Sequence, residues 1–137
     1  DMSAKRSTSD RSRTCSEVEF VVPGAPVPKA RARVGKYGTY TPVRTRRHEN
    51  TIRDHAFLAM KKNRVHRIDG SVEVIIEVIQ KKKRGDLDNH AKAVCDAMNG
   101  VVYTDDAVID DLRIQRTIEP LERTVVTVRK INEQKRA

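Results

Sequence analysis

Apolar and polar residues alternate over several short stretches of the chain, and this pattern predicts β-strands. The clearest stretch is SVEVIIEVIQ, where every second residue from Val72 to Val78 is apolar, which indicates a central strand. VEFVV (residues 18–22) predicts a strand that PGAPVP ends, and AVIDDLRIQRTIE and RTVVTVRKI predict two more strands joined at PLE. Gly35 and Gly38 indicate the tip of a hairpin between two short strands.

Two stretches repeat apolar residues at the spacing of a helix. Thr-Pro at residues 41–42 predicts the start of a long amphipathic helix, with the threonine as N-cap and the proline as first helical residue. Between residues 88 and 99 the apolar positions fall at i, i+3, i+4 and i+7, and Asp88 or Asn89 is the expected N-cap. The order of these elements predicts an α+β domain with a mixed or antiparallel sheet and two main helices.

Length and composition favour one globular domain between two tails. The chain has 137 residues, enough to bury one core. Residues 1–17 are rich in Ser, Thr, Lys and Arg and are expected to form a flexible basic tail, and residues 132–137 a second basic tail. A single domain is therefore expected over residues 18–131. Hydrophobic residues make up 37% and charged residues 34% of the chain, so its surface is heavily charged.

The net charge indicates a polyanionic partner. It is +9, which most simply means nucleic acid, although a structural ribonucleoprotein component or a membrane-surface binder would show the same balance. Glu73 and Glu77 interrupt the longest apolar run, so no transmembrane helix is expected, and the N-terminus lacks a signal-peptide core. The two cysteines, Cys15 and Cys95, have no zinc-binding spacing, and a reducing intracellular setting is the default.

Carboxylates gather directly after the most basic run of the chain. Asp86 and Asp88 are separated by one residue, and in extended backbone such side chains point the same way. Lys92 lies one helical turn beyond Asp88 and can reach back towards it. A second acidic pair, Asp105 and Asp106, follows the segment that returns from the far end of the helix. Such carboxylates in a phosphate-binding protein suit Mg²⁺ or Mn²⁺, which would activate a water while Lys92 stabilises charge on the phosphate.

The same residues also fit a structural interpretation. The acids before the helix can serve as a cap that favours the helix dipole, and Lys92 and Asp96 are spaced for a surface ion pair. Acidic pairs such as Asp105–Asp106 and Asp110–Asp111 are commonly turn or solvated residues. An EF-hand is excluded, because the loop after Asp86 lacks the required glycine and the closing glutamate. Spacing alone leaves both interpretations open.

The stretch DLDNHAKAVCDAMNGVVYTDDAVIDD resembles the RusA family of Holliday-junction resolvases, which is common in bacteria and their prophages. The resemblance extends back through YTP to PGAPVPKARARV and covers residues 18–128. It implies a small dimeric endonuclease that needs Mg²⁺ or Mn²⁺ and makes paired nicks across a four-way DNA junction. It also implies a bacterial, cytoplasmic protein of the kind that prophages encode.

Carried over residue by residue, the resemblance implies catalytic and metal-binding roles. The first two acids of the family match Asp86 and Asp88, and the family lysine matches Lys92. The third acid matches either Asp105 or Asp106; the alignment favours Asp106 as the metal ligand, with Asp105 as the alternative.

Two other residues of this helix receive no catalytic role. Asp96 matches an acid of the family, but its role could be structural. His90 fills a position that varies freely in the family, and it is expected to be an exposed helix residue.

Basic residues around these acids are expected to hold DNA phosphates, which position a protein without specifying sequence. Each of them could instead be a solvated surface charge. They are Lys29, Arg31 and Arg33 near the hairpin, Arg44, Arg46, Arg47 and Arg53 on the long helix, and Lys81, Lys82, Lys83 and Arg84 before the acids. A homodimer would place two equivalent sites on the near two-fold symmetry of a junction.

The leading hypothesis is therefore a metal-dependent, structure-selective DNA endonuclease. The alternative is a non-catalytic nucleic-acid-binding domain whose acids only cap a helix, with salt-sensitive binding that is indifferent to Mg²⁺. A structural component of a ribonucleoprotein is a third class. Little supports it, because the aromatic residues that stack on RNA bases make up only 4% of the chain.

Overall fold

The computed structural model describes residues 16–30, 33–35, 38–40 and 42–131. Most of the two predicted tails, residues 1–15 and 132–137, lies outside the described residues, as do Arg31 and Thr41. The first strand begins at Glu17, one residue before the predicted start of the domain.

Six strands, two helices and one 3₁₀ turn make up the described chain. In chain order they are β1 (Glu17–Pro23), β2 (Arg33–Gly35), β3 (Gly38–Tyr40), α1 (Val43–Lys62), β4 (Val72–Gln80), α2 (Leu87–Ala97), the 3₁₀ turn (Asp106–Val108), β5 (Ile109–Ile118) and β6 (Arg123–Lys130). The predicted hairpin is formed by β2 and β3, which pair antiparallel.

A mixed four-stranded sheet lies at the centre, in the order β1, β6, β4, β5. β6 pairs antiparallel with both β1 and β4, whereas β4 and β5 are parallel and are joined through α2. A parallel pair needs such a crossover, which a helix supplies. The prediction of an α+β domain with a mixed sheet, two main helices and a central strand at residues 72–80 is confirmed.

Both helices pack on one face of this sheet. Alternate residues of β4, from Val72 to Val78, are fully buried there and share a single apolar core with Ile52 of α1 and Val94 of α2. The buried face of the strand, which has a period of two, and the buried faces of the helices, which have a longer period, therefore pack into one core. This packing fixes α2 beside β5. None of the helices in the described part of the chain is long and apolar enough to span a membrane.

The starts of both helices differ by a residue or two from the prediction. Pro42 is the N-cap of α1, with φ −56° and ψ 145°, so it precedes the helix and is not its first residue. In α2 the N-cap is Asp86 rather than Asp88 or Asn89. The amides of Asn89 and His90 both donate to the Asp86 carbonyl at 3.1 Å, so helical hydrogen bonding starts from that residue.

Candidate active site

A cavity of about 420 Å³ opens between α2 and the start of β5. One face of α2 forms its first wall, because residues three, four and seven apart lie in a row along a helix. The 3₁₀ turn and the first residues of β5 form the opposite wall. The lining residues are Asp88, Ala91, Lys92, Cys95, Asp106, Ile109, Asp110, Asp111 and Leu112.

The structure brings together three of the predicted site residues around this cavity, namely Asp88, Lys92 and Asp106. Asp86 is exposed and does not line the cavity. The expectation that Asp86 and Asp88 point the same way from extended backbone is wrong, because the helix already begins at Leu87. Asp105 is exposed at the N-cap of the 3₁₀ turn and also lies outside the lining.

The acids in and beside the cavity come from different elements and do not form one cluster. Asp106 hydrogen-bonds Asp96, which comes eight residues after Asp88. Eight residues correspond to about 12 Å along a helix axis. Among the described residues, no group of three or more His, Cys, Asp or Glu side chains is arranged to hold a metal ion.

Asp106 lies close to two other carboxylates, Asp105 and Asp96. Partial burial raises its pKa first, followed by the charge of Asp105 and by the hydrogen bond with Asp96, while Lys92 acts in the opposite direction. Lys92 Nζ lies 3.4 Å from Asp96 Oδ1, which is the ion pair that the spacing predicts. The Lys92 side chain is 61% exposed, so it remains accessible from solvent.

Lys29 is held between the two helices. Its Nζ lies 2.6 Å from Glu49 Oε2 on α1 and 3.3 Å from Asp96 Oδ2 on α2. Burial lowers the pKa of Lys29, but its hydrogen bonds to Glu49 and Asp96 and their charges raise it above the ordinary value. Lys29 thus links α1 to the acid that touches both Lys92 and Asp106.

The basic run forms a loop between β4 and α2, residues 81–85, called the basic loop below. Lys81, Lys82 and Lys83 are exposed. The Arg84 guanidinium lies 2.9 Å from Glu122 Oε2, and the same carboxylate accepts a hydrogen bond from the Lys81 amide at 3.0 Å. Glu122 therefore fastens the base of the loop and leaves the lysine side chains at its tip.

The other predicted DNA-binding residues are distributed over α1 and the hairpin. Arg46 and Arg47 are exposed on α1, whereas Arg53 Nε donates to the Ala97 carbonyl at 3.0 Å and so ties α1 to the end of α2. Arg33 lies in β2, where the backbone alone is described, and Arg31 is outside the described residues.

His90 is a buried residue, and the expectation of an exposed helix histidine is wrong. It is 2% exposed, and its Nε2 lies 2.8 Å from the Arg84 carbonyl oxygen. Burial is the main cause of a lowered pKa for His90. A carbonyl can only accept, so Nε2 carries the proton. The signal was available, because His90 lies three and four residues before buried Ala93 and Val94.

A second, half-buried imidazole lies near it. The Val27 amide donates to His48 Nε2 at 3.3 Å, so His48 is neutral and accepts a hydrogen bond. Burial, followed by the charges of His90 and Arg44, lowers the pKa of His48 to about 4. Nothing in the sequence pattern around His48 marks it as half-buried, because the first half of α1, where His48 lies, is mostly polar.

Comparison with known proteins identifies one family. The family model described as Endodeoxyribonuclease RusA matches residues 23–129. Comparison with curated proteins finds no match. Among solved structures, a 2C-methyl-D-erythritol-2,4-cyclodiphosphate synthase with CDP bound is similar, with 9% identity and a TM-score of 0.37 over 85% of this chain and 99% of that one. A similarity at this level carries no functional information.

Proposed function

Because the chain belongs to the RusA family of endodeoxyribonucleases, we propose that it is a metal-dependent, structure-selective DNA endonuclease that resolves four-way junctions by paired nicks. The observation that carries the proposal is the cavity lined by Asp88, Lys92 and Asp106, beside the helix that follows the exposed lysines of the basic loop. A phosphate-binding surface thus leads directly to carboxylates and a lysine.

The donor chemistry of the cavity fits Mg²⁺ or Mn²⁺. Mg²⁺ in nucleotide-processing sites is held by one or two carboxylates together with water and substrate phosphates, so a three-carboxylate cluster is not required. Of the four carboxylates that line the cavity, Asp88 and Asp106 are the two that match acids of the family and would hold the ion, and Asp86 and Asp105 lie near them in sequence. Burial, and after it the charge of Asp105, raises the pKa of Asp106, and a bound cation would oppose both effects.

A bound divalent cation supplies polarisation of the phosphoryl oxygen and a water of lowered pKa. The chain supplies the rest. Lys92 can turn from Asp96 towards a phosphate and stabilise the charge that develops on it or on the leaving oxygen. Lys81, Lys82 and Lys83 hold neighbouring phosphates, and such contacts place the strand without reading its bases.

Paired nicks require two equivalent sites. We therefore include a homodimer in the proposal, because a C₂ pair of chains matches the near two-fold symmetry of a four-way junction. Branched DNA is accordingly the proposed partner, with the basic loop of each chain facing one of the two opposed strands.

The decisive experiment incubates a labelled four-way junction with the protein, with and without Mg²⁺. Symmetric paired nicks that need the metal are expected. Asp88→Asn is expected to retain junction binding and to lose at least about 100-fold in cleavage, because a metal ligand and its charge are removed. Asp54→Asn, an exposed carboxylate on α1 outside the cavity, is the matched control and should cleave normally. Full cleavage by Asp88→Asn would rule out the assigned site.

The alternative function is non-catalytic DNA binding. The specific observation in its favour is that Asp86 serves as the N-cap of α2 and lies outside the cavity. It predicts salt-sensitive binding that Mg²⁺ does not alter and no nicked product from any DNA.

A further inference from the structure

Two consecutive backbone carbonyls just before Asp86 are held by side chains from three different elements. The Arg84 carbonyl oxygen accepts hydrogen bonds from Gln80 Nε2 at 3.0 Å, from His90 Nε2 at 2.8 Å and from Arg116 Nη2 at 3.4 Å. Arg116 Nη2 also donates to the Gly85 carbonyl oxygen. We call these three side chains, Gln80, His90 and Arg116, the carbonyl clamp.

Two side chains of the carbonyl clamp also hydrogen-bond each other. Gln80 is the last residue of β4 and is fully buried. Arg116 lies on the neighbouring strand β5, and its Nε donates to Gln80 Oε1 at 2.9 Å. That bond fixes which end of the Gln80 amide carries the oxygen, so its NH₂ group must face the Arg84 carbonyl. A buried amide with both ends bonded is a rigid support.

The peptide that the clamp holds has little freedom on its other sides. Gly85 has φ +77°, and a Cβ placed there would lie 2.8 Å from Pro28 Cγ and 3.0 Å from His90 Nε2. On the opposite side, Glu122 holds the Lys81 amide and the Arg84 guanidinium. The backbone entering Asp86 is therefore fixed by more contacts than a helix start requires.

A helix N-terminus can be capped by local groups. Capping alone therefore does not explain why side chains from three different elements donate to these two carbonyls. Arg116 is a cation on β5 that donates to backbone carbonyls and to Gln80. Hydrogen bonds from a charged guanidinium are stronger than neutral ones and are directional. These bonds fix the backbone of Arg84 and Gly85, which the lysines of the basic loop precede and Asp86 follows.

We propose that Gln80, His90 and Arg116 are positioning residues that hold the basic loop and the start of α2, which carries Asp88, in the geometry used for metal and phosphate binding. The role in catalysis rests on the proposed function, whereas the role in fixing the loop does not. None of the three side chains touches the reacting atoms, and each acts through the Arg84–Gly85 backbone.

The test uses Gln80→Met and Arg116→Met in the full chain. Gln80→Met keeps the volume but removes both amide contacts, and Arg116→Met removes the charged donor at a half-buried position. Arg113→Met is the matched control, because Arg113 lies on the same strand but its nearest carboxylates are Glu73 and Asp111, away from the basic loop.

The first readout is amide hydrogen exchange of residues 81–86, measured without DNA or metal. Both clamp variants are expected to exchange about tenfold faster there than the wild-type protein, because each loses hydrogen bonds that close this segment. Exchange in β6 should stay unchanged, which shows that the fold is intact, and Arg113→Met should match wild type. Unchanged exchange at residues 81–86 in both clamp variants would overturn the proposal.

The second readout is the Mg²⁺ concentration that gives half-maximal junction cleavage. We expect it to rise about tenfold in the clamp variants, as for residues that support a metal ligand, with metal-free junction binding changed less than about threefold. A merely structural role would reduce the active fraction and leave this concentration unchanged, which would contradict positioning. If the wild-type protein cleaves no junction, the proposed function fails, and hydrogen exchange still decides whether the clamp fixes the loop.

Discussion

Lys29 shows how the meaning of a charged residue depends on its neighbours. In the sequence it belongs to a basic stretch that suggests phosphate binding, yet its ammonium group is placed between Glu49 and Asp96 at 2.6 and 3.3 Å. The Lys29 side chain is 23% exposed, so a phosphate would have to compete with two carboxylates for the same donors. Its contribution is therefore expected to be to the packing of α1 against α2.

We predict that Lys29→Met lowers the free energy of unfolding by about 1–2 kcal/mol, because two partly buried carboxylates lose their shared cation. Urea unfolding measures this loss, and it should be smaller in 0.5 M salt. Lys82→Met, at the exposed tip of the basic loop, is the control: it should weaken junction binding and leave stability unchanged. A Lys29→Met protein of normal stability with weak DNA binding would instead make Lys29 a phosphate contact.

For single residues, the sequence predicts which residue types form the site better than it predicts where their side chains point. Lys92 and Asp96 form the expected ion pair, and Asp88 and Asp106 reach the cavity. Asp86 does not, because α2 starts at Leu87, so Asp86 is still in extended backbone whereas Asp88 is already helical, and the two side chains do not share a direction. Such a shift lies within the ordinary uncertainty of a helix end and cannot be derived from local pattern.

Among the elements, the connection from β4 to α2 is the most constrained. The strand, the basic loop and the helix are continuous in sequence, and the loop is held by residues of β4, α2 and β5 and by Glu122 in the turn before β6. Gly85 is the point where no side chain fits, because its left-handed backbone lies directly against Pro28 and His90.

We predict that Gly85→Ala costs about 2–4 kcal/mol in unfolding free energy, from a left-handed conformation together with steric overlap. Gly100→Ala is the matched control. Its φ of +81° is nearly the same as the +77° of Gly85, but nothing lies within 4 Å of the added Cβ. Gly100→Ala should therefore cost only about 1 kcal/mol, and thermal or urea unfolding of the two variants separates conformation from overlap. Equal losses would mean that the contact with Pro28 is easily relieved.

The pattern of apolar and polar residues was sufficient to predict the strands and helices themselves. The alternation in β4 and the helical repeat in α2 each give one buried face, and both are confirmed. The clamp could not be predicted, since Gln80, His90 and Arg116 are far apart in sequence and meet through the parallel pairing of β4 with β5. Gln80, a polar residue that continues the buried alternation of Val72 to Val78 in β4, is the one local hint of a buried hydrogen-bonding role.

On the scale of the whole molecule, the basic and acidic residues have separate roles: the excess of basic residues attracts DNA, and a few acidic residues line the candidate active site. The chain carries 28 Lys and Arg residues against 19 Asp and Glu residues, so its net field attracts DNA. Four carboxylates nevertheless line one cavity, on Asp88, Asp106, Asp110 and Asp111. The excess of cations elsewhere allows this local acidity without repelling the substrate from the protein as a whole.

We predict that the logarithm of junction affinity falls linearly with the logarithm of salt concentration, with a slope of about 0.9 per phosphate contacted. Lys82→Gln and Lys83→Gln should each reduce that slope by about one, because each removes one phosphate contact from the exposed tip. Lys62→Gln, at the end of α1 and outside every proposed phosphate contact, carries the same charge change and should leave the slope nearly unaltered. Fluorescence anisotropy over 50–300 mM salt measures all three, and equal effects would mean that net charge alone drives binding.

The position of β6 determines when during synthesis the site can form. Although β6 comes after every other described strand along the chain, it lies inside the sheet, between β1 and β4. A nascent polypeptide that has not yet reached Arg123 already contains both walls of the cavity, but β1 and β4 have no partner to join them. Residues 123–130 must therefore leave the ribosome before the sheet can close, and a chain cut short before Arg123 is expected not to form the cavity.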